Sequence, residues 1–535
     1  MRTPLAIALL CAACAACAHQ RPLPAPDPAP PPPPPPDPLI AIRADVEALL
    51  AAQGEILWRS WTAGEAGDPA SALAGRERLL APESLAAVRE AGARAAGDER
   101  RALDLLRAFL VGERLGRDTA ATGERLAAAR AGATFPWEGR EIPVRKASAL
   151  LAQEADGSRR ARIERALALA EGRQLPLAEA HRRALDASAR GLGAGGALEL
   201  AASLRGETLA ALSARAEEVL SATEAPYRAL MEALARAELG IPLDQLRGRD
   251  LPRLFALAQE PRAFPAGEAA PRALATLRGL GIDLAARPGV VLDLEARPGK
   301  DPRPLLLPVR VPGSIRVSCS AAGGVAEARG LLRTLGGAAA YAEARSPVLE
   351  FRVLGGVTAD AWGGLFAELA GNPLWLAEQS GLSGHSLAPV VRAAAARRLH
   401  ALREAAARLL LELSRAGGKA AGPGVAQALC QRAFAHPVEA DEAALFAAEP
   451  DPLLRSADAV ASMLLSAQAE AFLERLGDPA WWRSAAAGAA LRAAMAGGSR
   501  LPPEGLSRSF GFERLDAGAA AAAARARAEW AGGAF

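Results

Sequence analysis

The chain has 535 residues, of which 51% are hydrophobic but only 4% aromatic, so its apolar content is mostly Ala and Leu. That length is ample for a large buried core, and that bias favours helix over sheet. The 63 basic and 60 acidic residues interleave without a block of like charge, which excludes the basic stripe that a nucleic-acid surface needs.

Residues 1–17 have the layout of a secretory signal, with Arg2 ahead of an apolar run from Leu5 to Ala16. The run is too short for a membrane-spanning helix, which needs about 20 apolar residues. Cys14 and Cys17 each follow an Ala-Ala pair, an approach that resembles the lipobox of bacterial lipoproteins. Cys17 is favoured as the lipid anchor because it leaves the longer apolar stretch upstream. Cys14 is the alternative, and an ordinary cleaved signal is the simpler reading. Residues 18–38 form a spacer, and 12 of the residues from 22 to 38 are proline. Such a chain is extended and stiff, at about 3.1 Å per residue. Ala18 rather than Asp after the candidate Cys favours, by resemblance to lipoprotein sorting, the outer membrane of a double-membraned cell. The expected location is therefore the cell envelope, with membrane attachment through the lipid. Cys319 and Cys430 are either a disulfide, which an oxidising compartment permits, or two separate buried thiols.

From Leu39 the pattern is helical. Ile42, Val46, Leu49 and Leu50 recur at steps of three and four, and Ile56, Leu57, Trp58 and Trp61 follow. Similar segments run to about residue 285. In residues 206–239, Leu209, Leu212, Val219, Leu220, Tyr227, Leu230, Met231 and Leu234 make apolar stripes between charged faces. The pattern breaks over 289–320, where Gly289–Glu295, Leu305–Val311 and Ser314–Ser320 read as strands joined by Pro/Gly turns. Ile315, Val317 and Cys319 would share one face of the last strand. Helical periodicity returns at about Val325, and Ala519–Ala528 reads as a terminal helix or a frayed Ala-rich tail.

Three ordered stretches resemble the oligoendopeptidase F and thimet oligopeptidase family of zinc metallopeptidases, in the thermolysin-like clan. Asp293–Arg303 with Pro308–Pro312 resembles the strand and loop before that family's active-site helix. Gly324–Tyr341 resembles the zinc-binding helix itself. Phe351–Phe366 with Asn372–Leu376 resembles the helix that carries the third zinc ligand. Further likeness lies at Asp478–Arg483 and Gly511–Leu515. The resemblance implies a mainly α, two-lobed fold with a deep central channel and a small β insert at about 289–320. It divides the mature chain into an N-terminal helical lobe, 39–285, and a peptidase-like lobe, 286–535.

In that family H-E-x-x-H puts two His on one helix face, with the Glu as general base on zinc-bound water. The likeness places the first His at Arg333, the base at Thr334, the second His at Gly337 and the third ligand at Ala359. A guanidinium repels zinc, a hydroxyl is no carboxylate base, and Gly and Ala carry no donor atom. Asp360, rotated by about 100° from Ala359 along a helix, is expected to point away from the site. The five His are His19, His181, His385, His400 and His436, and no two are four apart. His400 and Glu404 share a helix face and read as a surface pair, with joint metal binding as the lesser alternative. The region that in the family supplies Tyr or His to the oxyanion, here Asp451–Val460, has neither.

The expectation is therefore a lipid-anchored pseudoenzyme with no metal, no cofactor and no catalytic residues, binding peptides or an envelope protein, or serving structurally. The alternative is an active peptidase or other hydrolase with a non-standard site. Gly381–His385 is not a nucleophile elbow and follows no strand, and Cys319 on its strand reads as a buried thiol. Without zinc, packing must join the two helices. Gly336, Gly337 and Ala338–Ala340 facing Gly355, Gly356, Gly363 and Gly364 would allow close approach. Arg333 either turns to an acid, Glu343, Asp360 or Glu368, or points into a water-filled cleft.

Overall fold

A computed structural model describes residues 37–320, 323–416 and 422–533. The signal, both candidate anchor cysteines and nearly all of the spacer lie outside the described residues. Helix begins at Pro38, where a missing N–H costs nothing because the first turn has no acceptor for it. The N-terminal helices are α1 (Pro38–Ala63), α2 (Pro82–Arg94) and α3 (Gly97–Gly132). After a hairpin, β1 (Thr134–Trp137) and β2 (Arg140–Pro143), come α4 (Ala147–Gln153), α5 (Gly157–Gly172), α6 (Leu175–Gly191) and α7 (Ala197–Arg205). Then follow α8 (Leu209–Ala222), α9 (Glu224–Leu239), α10 (Leu251–Ala256) and α11 (Ala269–Gly279).

The β insert comprises β3 (Val290–Asp293), β4 (Leu305–Arg310) and β5 (Ser314–Ser318). Beyond it lie α12 (Gly324–Glu343), α13 (Leu349–Val353), α14 (Gly356–Ala367), α15 (Pro373–Gln379) and α16 (Leu387–Leu413). The chain closes with α17 (Pro423–Phe434), α18 (Ala440–Ala448), α19 (Arg455–Leu476), α20 (Ala485–Ala496), α21 (Pro503–Ser509) and α22 (Gly518–Gly533). The fold is mainly α with a small β insert.

Local signals account for many of these boundaries. Thr208 caps α8, accepting from the Ala211 amide at 3.1 Å, and Gly240 ends α9 in the left-handed conformation at φ 67°. The stripes of α8 and α9 are the buried ones: Leu212, Val219, Leu220, Tyr227 and Met231 are all 0% exposed. The terminal α22 is anchored, since Ala520, Ala521, Ala524, Arg527 and Ala531 are buried. The helical reading of the first 285 residues missed the hairpin. Its two-residue turn, Glu138-Gly139, has φ of 50° and 74°, the doubly positive geometry that lets paired strands keep their twist. Pro136 inside β1 obscured it.

In the insert, β5 is central, parallel to β3 and antiparallel to β4. Ile315, Val317 and Cys319 are buried together. The 294–304 loop is held by Lys300, whose fully buried ammonium donates to Asp293 O and Oδ1, Glu295 O and Cys319 O at 2.7–2.9 Å. Cys319 and Cys430 are free, buried thiols. The core around α12 is aromatic where the sequence permits: Trp362, Trp375, Trp481 and Phe366 are at most 1% exposed, with Phe366 edge-on to Trp481 at 5.8 Å. Among the described residues no helix is long and apolar enough to cross a membrane.

Candidate functional site

The site is built on α12 and α14, which pack along a seam of small residues. A Cβ added at Gly336 would lie 2.6 Å from Phe366 Cδ2 and 3.0 Å from Trp362 O, and one added at Gly363 would lie 2.8 Å from Arg333 O. Each helix therefore uses a glycine to admit the backbone or ring of the other. Four further expected seam positions behave differently. Gly337 faces Leu306 of β4 (Cβ to Cδ2 2.7 Å), with Ala359 O at 3.8 Å; Gly364 faces Ser466 of α19; Gly355 faces Ser499; and Gly356 has nothing within 4 Å.

Positions 333, 337 and 359 thus come together across the helix pair. Leu306 occupies the direction in which a side chain at 337 would grow. Thr334 is buried, its hydroxyl donating to Gly330 O at 2.8 Å, back along its own helix. Ala359 contributes only a methyl group. Among the described residues no three His, Cys, Asp or Glu side chains gather in a metal-holding arrangement.

Arg333 faces an open cleft of about 710 Å³ bounded by α3, α7, α12, α14, α16 and α19. Its side chain is half exposed and lies 3.8 Å from Asp360, itself two-thirds exposed. The two alternatives for Arg333, a nearby acid or a solvent-filled cleft, are both realised. Asp360 does not point away: it lines the cleft and meets Arg333, while Ala359 backs onto Gly337. The other two candidate acids are committed elsewhere, Glu343 to Arg287 and Glu368 to Arg329 and Arg527.

Beneath the cleft lies a buried ionic cluster. Glu368 meets Arg329 and Arg527 at 3.3 Å and Arg398 at 3.5 Å, and Glu470 meets Arg398 at 2.6 Å and Arg527 at 2.7 Å. Burial opposes ionisation of Glu368, and Arg398, Arg329 and Arg527 overcome it, holding the carboxyl down at about 2. The cluster ties α12, α16, α19 and α22 together beneath the wall that carries Arg333.

A second buried arginine sits away from the cleft. Arg403 is fully buried and donates to the carbonyls of Ala433, Leu220 and Arg432 and to Thr223 Oγ1 at 2.6–2.8 Å. Tyr227 lies under its guanidinium at 5.0 Å and hydrogen-bonds His400 Nδ1 at 2.8 Å. His400 is no surface residue. It packs against Phe255 and stacks on Phe434, and burial, aided by His436 and Arg403, drops its pKa to about 3. Glu404 pairs instead with Arg408 at 3.6 Å.

The remaining nucleophile candidates lack a chemical setting. Burial pushes the Cys319 and Cys430 thiols up to about 11 and about 12, opposite to what a reactive thiolate needs. Ser383 lies in an exposed turn ahead of one short 3₁₀ segment. No His, Cys or Tyr lines the cleft among the described residues. Sequence reading missed Arg101, Arg205, Arg398 and Arg455, which line the same cleft from four helices or their approaches. They stand far apart in a chain where arginine is everywhere, so no local spacing marks them. No family model matches the chain, and no curated protein matches it.

Proposed function

We propose that this protein is an envelope lipoprotein with a degenerate zinc-oligopeptidase fold, anchored at Cys17 or at Cys14, whose cleft binds polypeptide without cleaving it. The observation that carries this reading is the wall of the cleft. Arg333 opens onto it with a guanidinium, while behind it the helix pair sets Gly337, packed by Leu306, against the backbone of Ala359, which adds only a methyl group. Neither a metal-bound water nor a general base can be assembled from that set. The cleft beside it holds about 710 Å³, and its lining mixes charged and apolar side chains.

The reading is tested by incubating the purified full chain with a mixed peptide library and analysing both bound and free fractions by mass spectrometry. Retention of intact peptides supports it. New termini in the free fraction, whether or not a chelator suppresses them, would show a working peptidase. Mass analysis of the mature N-terminus reads the acylated cysteine in the same preparation.

A further inference from the structure

The charge balance of the cleft is uneven in a specific way. Its buried or half-buried acids already meet arginines of this chain. Asp458 pairs with Arg205 at 2.8 Å, Glu207 and Glu504 share Arg215 at 3.0 and 2.8 Å, and Glu368 belongs to the buried cluster. Three cations on the lining have no comparable commitment. Arg101 makes neither a side-chain hydrogen bond nor an ion pair, and its Nε is shut from water without an acceptor. Arg455 is exposed and unpaired. Arg333 has only Asp360, 3.8 Å away with both groups open to solvent, a pairing that is worth little in water. Burial holds Arg101 below the ordinary arginine range, and the charges of Asp104 and Glu504 only partly offset it.

We propose that the cleft takes an acidic polypeptide segment, its carboxylates received by Arg101, Arg333 and Arg455 and its apolar side chains laid against Leu105, Leu354, Val357 and Met463. This rests on the cleft being a polypeptide-binding surface and adds the charge of the ligand. Guanidinium forks match carboxylates two bonds at a time. A small anion would use the charges but leave most of about 710 Å³ and the apolar lining unused. A basic segment would meet Arg455 with no paired acid, and Arg101 and Arg333 with acids held only loosely.

The test is fluorescence anisotropy on the full chain with three labelled peptides of one length: Glu/Leu-rich, its Gln analogue and its Lys analogue. The Glu peptide is expected to bind, to weaken as salt rises, and to outcompete the other two. Replacing Arg333 by Gln is expected to weaken it by about three- to tenfold, and the triple variant Arg101→Gln, Arg333→Gln, Arg455→Gln by about a hundredfold. Arg262→Gln, which removes the same charge from a side chain 91% exposed and off the cleft lining, is expected to change nothing. Unaltered circular dichroism and unfolding midpoints establish that each variant is folded. Equal binding of all three peptides would overturn the acidic assignment while leaving peptide binding in place. Failure of every peptide to bind would overturn both. Displacement of the Glu peptide by free phosphate or free glutamate at matching concentration would overturn the polypeptide in favour of a small-anion site.

Discussion

The floor and the wall of the cleft use the same residue for opposite ends. On the floor, Arg329, Arg398 and Arg527 are enclosed with Glu368 and Glu470, and the geometry is closed on itself. On the wall, Arg101, Arg333 and Arg455 have almost nothing within the chain to bond. Buried cations must find their partners in the fold, because desolvation otherwise drives them out. Arg333 and Arg455 keep water as an alternative and so stay available, while the partly buried Arg101 has an Nε still without an acceptor. The floor is therefore read as structure and the wall as a binding surface. The comparison predicts that mutations will separate along that line: floor variants lose stability, and wall variants lose ligand.

The largest effect is expected from Glu368→Gln. It leaves Arg398 and Arg527 with Glu470 alone and Arg329 with no acid, and should cost about 3–5 kcal/mol, read from the shift of a guanidinium unfolding curve. An unchanged midpoint would erase the distinction between floor and wall. Next is the acid limb of stability. His400 is neutral when folded, its pKa held at about 3 against an ordinary 6.5, so the unfolded chain binds the extra proton. Stability is then fully present above pH 6.5 and is lost as pH falls toward 3, on the order of 5 kcal/mol in all. His400→Phe should shallow that limb, with His436, held low by the same kind of burial, supplying the remainder.

The seam between α12 and α14 gives the third test. Gly336→Ala forces a methyl group against Phe366 and the Trp362 carbonyl and should destabilise by about 1–3 kcal/mol. Gly356→Ala, where no atom lies within 4 Å, should be neutral or stabilising by up to about 1 kcal/mol. If both cost the same, close packing is not what joins these helices. The smallest effect on stability belongs to the wall, where Arg333→Gln should stay within about 0.5 kcal/mol of the parent while weakening the acidic peptide.

The elements were legible where one periodicity ran unopposed. The heptad-like spacing of Ile42, Val46 and Leu49 gave α1, and the β-branched run at Ser314–Ser318 gave the central strand of the insert. The β1–β2 hairpin was not read because Pro136 argued against a strand and the Glu138-Gly139 turn was short. For the site, the tight glycine seam followed from the density of glycines in α12 and α14. Its partners were only half right, since Gly337 and Gly355 pack on Leu306 and Ser499 rather than across the pair. The orientation of Asp360 was not legible, because the rotation of one residue says nothing about where the neighbouring helix opens. His400 was misplaced on the surface for a similar reason: its aromatic setting comes from Tyr227, Phe255 and Phe434, all remote in sequence.

The most direct measurement is a crystal structure of the full chain grown with zinc and the Glu/Leu-rich peptide together. The account predicts intact peptide along the wall, its carboxylates on Arg333 and its neighbours, and no ion between α12 and α14. A metal held among positions 333, 337 and 359, or a peptide seated away from Arg333, would contradict it.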